Sequence, residues 1–158
     1  MSGLADAILA LGSPSLEARL QADVALAGWG SEADEALIAL LTDRHAPEEA
    51  QWRAAFTLGR RGTAAALPAL LTGLASQHWS VRHACACALG EIGDAGGAQA
   101  LLAIATAAEP DEQTNYVAAI GLLRLQRSQG EAVLRAVAAG GNRAGRNTAV
   151  SALAVVAY

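Results

Sequence analysis

Several residue types are scarce in this sequence, and each scarcity bears on which classes of protein or site are excluded. No lysine occurs, so all 11 basic residues are arginine, which we interpret first as coding bias. The two cysteines, Cys85 and Cys87, stand two residues apart, so they cannot form the disulfide framework of a small secreted protein. No apolar run reaches the length of a membrane span, because Arg, Glu, Asp or Gln interrupts each one.

The N-terminal stretch does not match a signal peptide. It has no basic region ahead of an apolar core, and Asp6 interrupts the apolar residues. Together with the cysteine usage, this leads us to expect a cytoplasmic protein.

Aromatic residues are also few, at 4%, although 53% of the 158 residues are hydrophobic. Alanine and leucine supply that excess, and both favour helices, whereas β-branched residues are few. The composition therefore predicts an all-α protein, long enough for one domain with a substantial core.

The charge is unevenly distributed along the chain. The net charge is −4, but 14 of the 15 acids and only 6 of the 11 arginines precede Arg124. From Arg124 onward there are 5 arginines, and Glu131 is the only acid. An acidic body with a basic end favours a charged partner or head-to-tail contacts over general nucleic-acid binding.

An internal repeat runs through the whole chain. Apolar anchor residues recur at steps of 32, 31, 31 and 33 residues, at Leu26, Leu58, Leu89, Ile120 and Leu153. Seven residues before each anchor stands a long polar side chain: Arg19, Gln51, Arg82, Gln113 and Arg146. Four residues before each anchor stand Ala22, Ala54, Cys85, Tyr116 and Ala149. Agreement over five copies predicts a repeat architecture.

Each repeat unit is predicted to contain two helices. The anchor helices are predicted over 16–27, 48–59, 81–90, 112–125 and 144–158. The first three are each followed by a glycine turn, which suits a left-handed helix stop, and Asp94 could cap the helix that follows it. A single helix pair cannot bury its apolar stripe alone, so neighbouring pairs are expected to stack.

The segment VRHACACALGEIGD, residues 81–94, carries a family resemblance. It is similar to the second helix of the short HEAT-like repeat of the phycobilin-lyase type, V-R-x-x-A-A-x-A-L-G-x-I-G-D. Cys85 stands where that pattern has a small alanine. The resemblance implies a right-handed α-solenoid, and we expect residues 1–158 to form a single domain of about five helical pairs, the first and last imperfect.

His83, Cys85 and Cys87 raise the question of a metal or redox site. On a helix the two cysteines point about 160° apart, so they cannot grip one metal or form a disulfide with each other. His83 and Cys87 share a face, but they supply two ligands where zinc needs three or four. We therefore expect Cys85 to fill a small core position, and we expect no metal and no cofactor.

The resemblance implies that second helices line a concave surface, where the variable repeat positions contact a partner. Those positions hold Trp52 and Phe56, flanked by Arg53 and Arg60, in the second repeat, and His83, Cys87 and Glu91 in the third. In the fourth they hold Thr114, Ala118 and Leu122. Large aromatics and arginine are typical of binding hot spots. The predicted partner-binding residues are Trp52, Arg53, Phe56, Arg60, His83 and Glu91; the competing interpretation is that Trp52 packs between repeats.

Several other side chains have plain structural interpretations. Arg19, Arg82 and Arg146 are expected to bind loop carboxylates such as Asp94, as the resemblance implies. Trp29 and Trp79 lie near turns and are expected to cover the edge of the stack.

No catalytic motif is present: the sequence has no G-x-S-x-G, no phosphate-binding glycine loop, no H-E-x-x-H and no His-Glu dipeptide. The predicted function is a non-catalytic scaffold that binds a protein or peptide. One alternative is a phycobilin lyase or lyase subunit. Another is a nucleic-acid binder acting through the C-terminal arginines, and the apolar last helix could also pair with a second copy.

Overall fold

The computed structural model describes residues 3–107 and 112–156. The side chains of Gln113, Thr114 and Tyr116, three of the repeat positions above, lie outside the described residues, as does Tyr158. The described part contains ten α-helices and no β-strand. The helices are α1 (Leu4–Leu11), α2 (Leu16–Ala27), α3 (Ser31–Thr42), α4 (Glu48–Arg61), α5 (Leu67–Gly73), α6 (Trp79–Ile92), α7 (Ala95–Ala105), α8 (Glu112–Arg124), α9 (Arg127–Gly140) and α10 (Arg143–Val156). A 3₁₀ turn, Ala64–Ala66, leads into α5.

The helices form five pairs that stack on one another. Each odd-numbered helix packs on the even-numbered helix that follows it, and the even-numbered helices α4, α6, α8 and α10 pack in sequence along one side. This arrangement confirms the predicted all-α solenoid. The even-numbered helices are the anchor helices of the repeat, so they carry the side chains on which a concave surface depends.

Two of the three predicted glycine stops have the expected conformation. Gly62 ends α4 and Gly93 ends α6, both with left-handed backbone, at φ of 67° and 68°. Asp94 then caps α7, where its side chain accepts a 2.7 Å hydrogen bond from the Gly96 amide. The first stop differs: α2 ends at Gly28, whose φ of −82° is right-handed.

The first three anchors lie at the centre of the core, and the fourth does not. Leu26, Leu58 and Leu89 are fully buried, whereas Ile120 is only half-buried. Ala118 and Leu122 of α8 are buried instead, and Leu122 lies beside Leu134 of α9 and Ala149 of α10. The expectation that Ala118 and Leu122 lie on an open surface was therefore wrong.

Glycine lets the middle anchor helices come close together. A Cβ on Gly90 would lie 2.1 Å from the Gly121 carbonyl oxygen, and a Cβ on Gly59 would lie 2.7 Å from Ala88 Cα. Both distances are shorter than any tolerated contact, so α4, α6 and α8 approach backbone to backbone. The close approach sets how the side chains of these three helices line up on the open face.

The long polar side chains seven residues before the anchors stabilise backbone carbonyls. Arg19 Nη1 donates to Ser13 O at 2.8 Å and Pro14 O at 3.0 Å, and Arg82 Nη1 donates to Ser76 O at 2.7 Å and Gln77 O at 3.1 Å. Arg146 donates in the same way to Gly141 O. The predicted structural role stands, but for Arg19 and Arg146 the partners are carbonyls of the loop before their own helix and not loop carboxylates.

Arg61 fixes the loop between the first and second repeats. Its side chain pairs with Asp34 and donates to Leu26 O at 3.0 Å, Trp29 O at 3.0 Å and Gly30 O at 2.8 Å. One guanidinium therefore satisfies three carbonyls at the end of α2 and the start of α3.

Candidate partner-binding groove

A groove of about 280 Å³ lies on the face formed by the even-numbered helices. It is lined by Asp23, Trp52, Arg53, Phe56, Thr57, Arg60, Glu91 and Arg124, so α2, α4, α6 and α8 all contribute. Five of the six predicted partner-binding residues are in this lining: Trp52, Arg53, Phe56, Arg60 and Glu91. The sixth, His83, lies next to the groove in contact with Phe56.

The groove has an aromatic floor that extends beyond it. The Trp52 and Phe56 ring centroids are 5.7 Å apart in an edge-to-face arrangement, and Phe56 and His83 are 6.2 Å apart. His83 in turn stacks on Trp79 at 5.0 Å. Trp79 was expected to cover an edge, but it continues the aromatic row. It stands four residues before His83, and that spacing on one helix could have revealed it.

Trp52 and Phe56 are neither sealed inside nor fully open. Both are half-buried, and both pack against the hydrophobic core while lining the groove. Trp52 therefore fits both interpretations: it packs against the core, and it also lines the groove. Leu20 and Val24 occupy the same repeat positions on α2, and both are exposed, so the apolar surface continues toward the first repeat.

Arg53 is held tightly on the aromatic floor. Its guanidinium carbon lies 4.2 Å from the Trp52 ring centroid, and its Nη2 lies 2.7 Å from Glu49 Oε1. Glu49 Oε2 also accepts a 2.9 Å hydrogen bond from Trp52 Nε1. Burial raises the pKa of Glu49, but the hydrogen bonds from Arg53 and Trp52 outweigh it and hold that pKa below its ordinary value. This triad fixes the Trp52 ring before any partner arrives.

Two ion pairs cross between helices at the rim of the groove. Arg60 Nη2 lies 2.9 Å from Asp23 Oδ1, and Arg124 Nη1 lies 3.0 Å from Glu91 Oε1. Sequence reasoning missed Asp23, Thr57 and Arg124, and it assigned Arg124 to the C-terminal arginine cluster. The two residues of these ion pairs are 37 and 33 positions apart in the sequence. The sequence alone does not show which side chains of neighbouring repeats come into contact.

The cysteines and His83 make no metal site in the described part of the chain. Cys85 and Cys87 are free thiols with 0% exposure, so Cys85 fills the predicted core position, whereas the expected open position of Cys87 was wrong. Burial, with a smaller effect from Cys87, raises the pKa of Cys85 to about 12. Burial also lowers the pKa of His83, and the Arg124 charge lowers it further. Among the described residues, no three His, Cys, Asp or Glu side chains cluster as they would around a metal ion.

The family model for HEAT repeats matches residues 34–114, which is half of the chain and contains α4 to α7. The chain belongs to the HEAT-repeat family. No curated protein sequence matches it.

Solved HEAT-like structures resemble the whole stack. The complex of CpcE and CpcF of phycocyanin lyase from Nostoc sp. PCC7120 is similar over 97% of this chain, with a TM-score of 0.59 and 24% identity. Human deoxyhypusine hydroxylase in complex with glycerol is similar over 78%, with a TM-score of 0.61 and 25% identity. An engineered protein is similar over 99% of this chain and 80% of its own, with a TM-score of 0.50 and 22% identity.

These likenesses support the fold more than any activity. The HEAT-repeat chain spans 64% of the Nostoc chain and 43% of the human enzyme. Two of the three similar structures are named as enzymes. The expectation that this chain is not an enzyme therefore stays a proposal.

The C-terminal arginines of this HEAT-repeat chain face internal partners. Arg124 pairs with Glu91, and Arg127 and Arg135 both contact Glu131, at 3.2 and 3.3 Å. The predicted basic patch is therefore partly neutralised within the molecule.

A second groove lies among the helices α3 to α6. It measures about 500 Å³ and is lined by α3, α4, α5 and the loop before α6, with Arg44, Gln51 and His78 among its polar residues. It is larger than the first groove, but no aromatic side chain other than His78 lines it. Within residues 3–107 and 112–156, no helix is long and apolar enough to cross a membrane.

Proposed function

We propose that this HEAT-repeat chain is a non-catalytic adaptor that holds a segment of a protein partner on its concave face. Trp52, Arg53, Phe56, Arg60, His83 and Glu91 form the contact surface. The observation that carries the proposal is a half-exposed aromatic floor under three arginines, in a groove lined by four successive anchor helices. Tryptophan and arginine in a partly desolvated pocket are typical of binding hot spots.

The order already present in the groove supports binding. Trp52 is fixed by Glu49 and Arg53, and Phe56 packs between Trp52 and His83. Side chains that are held in place before binding lose less conformational freedom when a partner arrives. We further propose that residues 1–158 act as one repeat domain in the cytoplasm, where the free buried thiols of Cys85 and Cys87 remain reduced.

The alternatives receive less support. A lyase role rests on a likeness at 24% identity, which supports the fold alone. Nucleic-acid binding needs an excess of cationic charge, and the chain has a net charge of −4 while Arg127 and Arg135 both contact Glu131.

A second contact surface is proposed on α10. Val150 and Val155 are 59% and 76% exposed there, and exposed apolar side chains grouped on one helix are typical of interaction surfaces. We propose a second copy of this chain as the occupant. Light scattering would then show association that Val155→Glu weakens; a monomer at all concentrations would contradict it.

The groove is tested by partner capture with matched tryptophan variants. Tagged wild type, Trp52→Ala and Trp29→Ala are incubated with extract of the source cells, and bound proteins are identified by mass spectrometry. We expect one partner to be lost with Trp52→Ala and kept with Trp29→Ala, since Trp29 lies on the α2–α3 loop outside the groove. Equal melting temperatures would exclude unfolding as the cause. Identical partners for all three proteins would contradict the proposal.

A further inference from the structure

Each ion pair at the groove rim uses one guanidinium nitrogen of its arginine, which leaves other donors of Arg60 and Arg124 for a ligand. We propose that the partner segment is acidic, with an apolar anchor, and that its carboxylates replace Asp23 on Arg60 and bind Arg124 beside Glu91. This inference rests on the proposed function and specifies the chemistry of the partner. The binding involves no covalent step: Arg60 leaves one carboxylate for another, and Arg124 gains a second.

The three groove arginines are not equivalent. Arg53 uses both Nε and Nη2 on Glu49, lies on Trp52 and is only 22% exposed. Arg60 and Arg124 each bind their carboxylate through one guanidinium nitrogen and are 57% and 52% exposed. Arginine presents five donors in a planar fork and binds carboxylates best in a two-point arrangement. Arg53 therefore belongs to the floor of the groove, and Arg60 and Arg124 are the ligand-binding cations.

The Asp23 carboxylate can be displaced from Arg60 at small free-energy cost. An exposed ion pair contributes up to about 1 kcal/mol, because water screens it and the side chains lose freedom in making it, and Arg60 is 57% exposed. A bidentate contact from a partner carboxylate, beside a segment that excludes water, is stronger than the single contact it replaces. Glu91 is different: it is 24% exposed and its Oε2 is buried, so it keeps its contact with Arg124 while the remaining guanidinium nitrogens bind the ligand.

The charge of the groove selects an acidic segment. Its lining holds three arginines against two acids, and Arg53 is already paired with Glu49, whereas the whole chain has a net charge of −4. The exposed cations that a bound segment meets are Arg60 and Arg124, and they would repel a basic segment. An acidic segment meets opposite charges here and like charges over much of the remaining surface, which favours its binding in this groove.

The test measures binding of three labelled synthetic peptides to the full chain by fluorescence anisotropy. Each peptide contains a Leu-Trp pair, flanked by Glu in the first, Gln in the second and Lys in the third. The Glu peptide is expected to bind most tightly. Arg60→Gln and Arg124→Gln should each weaken it about tenfold, whereas Asp23→Asn should strengthen it about threefold. Arg135→Gln, an exposed arginine outside the groove, is the matched control and should change nothing.

The opposite signs of the arginine and aspartate variants make the test decisive. Equal binding of the Glu and Lys peptides, no binding of any peptide, or weaker binding with Asp23→Asn would overturn the inference. If the Gln peptide binds as tightly as the Glu peptide and Trp52→Ala abolishes both, the groove function stands and the acidic partner does not. A single-stranded oligonucleotide that binds more tightly than the Glu peptide would overturn the choice of a protein segment.

Discussion

Arg60 and Arg61 are adjacent on α4 but differ in what they stabilise. Arg60 points into the groove and makes one exposed ion pair with Asp23. Arg61 points between repeats, where it binds Asp34 and three backbone carbonyls while only 18% exposed. Arg60 is therefore a proposed binding residue, whereas Arg61 stabilises the fold.

The two arginines should differ in their effect on stability. Arg61→Met is expected to lower the free energy of unfolding by about 2–4 kcal/mol, because it leaves three carbonyls and Asp34 without their donor. Arg60→Met should lower it by less than about 1 kcal/mol. Urea denaturation of both variants gives the comparison, and equal losses would show that Arg61 does not hold the α2–α3 loop.

His83 provides a titration that reports on the same groove. Burial, and then the Arg124 charge, lowers the pKa of its imidazole below the ordinary value of 6.5. Arg124→Gln should raise that pKa, and Arg135→Gln should leave it unchanged, in an NMR titration of the ring protons. If Arg124→Gln left the pKa in place, Arg124 would not lie close to His83.

The direction of the pKa shift also fixes the pH dependence of stability. The unfolded chain binds a proton on His83 at a higher pH than the folded chain does. The contribution of His83 is therefore complete above the ordinary pKa of 6.5 and is lost as the pH falls from there through the lower folded value. Unfolding by urea on both sides of this range should show a smaller acid-induced loss for His83→Gln than for wild type. An equal loss would contradict this sign.

At the scale of the helices, the sequence predicted local boundaries better than rotations. The bounds of α2 match the prediction, and Gly62 and Gly93 stop α4 and α6 as expected, because caps and glycine turns act within a few residues. The rotation of α8 differed from the repeat pattern, since it depends on how α9 and α10 cover Leu122. The spacing of residues gives their positions along a helix, but it does not show how other helices pack against that helix.

The close approach of α6 to α8 gives an element-scale prediction. Gly90→Ala would place a methyl group 2.1 Å from the Gly121 carbonyl oxygen and should lower the free energy of unfolding by about 2 kcal/mol. Gly140→Ala is the matched control, because Gly140 is also helical and nothing lies within 4 Å of its added Cβ. It should raise stability by up to about 1 kcal/mol. Thermal denaturation compares the two, and a harmless Gly90→Ala would mean that the helices lie farther apart.

At the scale of the whole molecule, the stacked repeats bring residues from different parts of the sequence onto one surface. The repeat pattern was enough to place Trp52, Arg53, Phe56, Arg60 and Glu91 on a common face. It did not show that Asp23 and Arg124, from the neighbouring anchor helices α2 and α8, would pair with Arg60 and Glu91 at the rim. Those contacts depend on the twist between repeats, which the spacing of the anchors does not specify. The groove is therefore a property of four helices together and not of any one repeat.

The most direct measurement of the central claim is site-specific photo-crosslinking of the captured partner. A photo-reactive amino acid replaces Val24, which is exposed beside the groove and makes no described hydrogen bond, or Gln99, which is exposed on α7. Binding on the concave face predicts that the partner crosslinks from position 24 and not from position 99. Crosslinking from position 99 alone would place the partner on the opposite side of the solenoid and contradict the account.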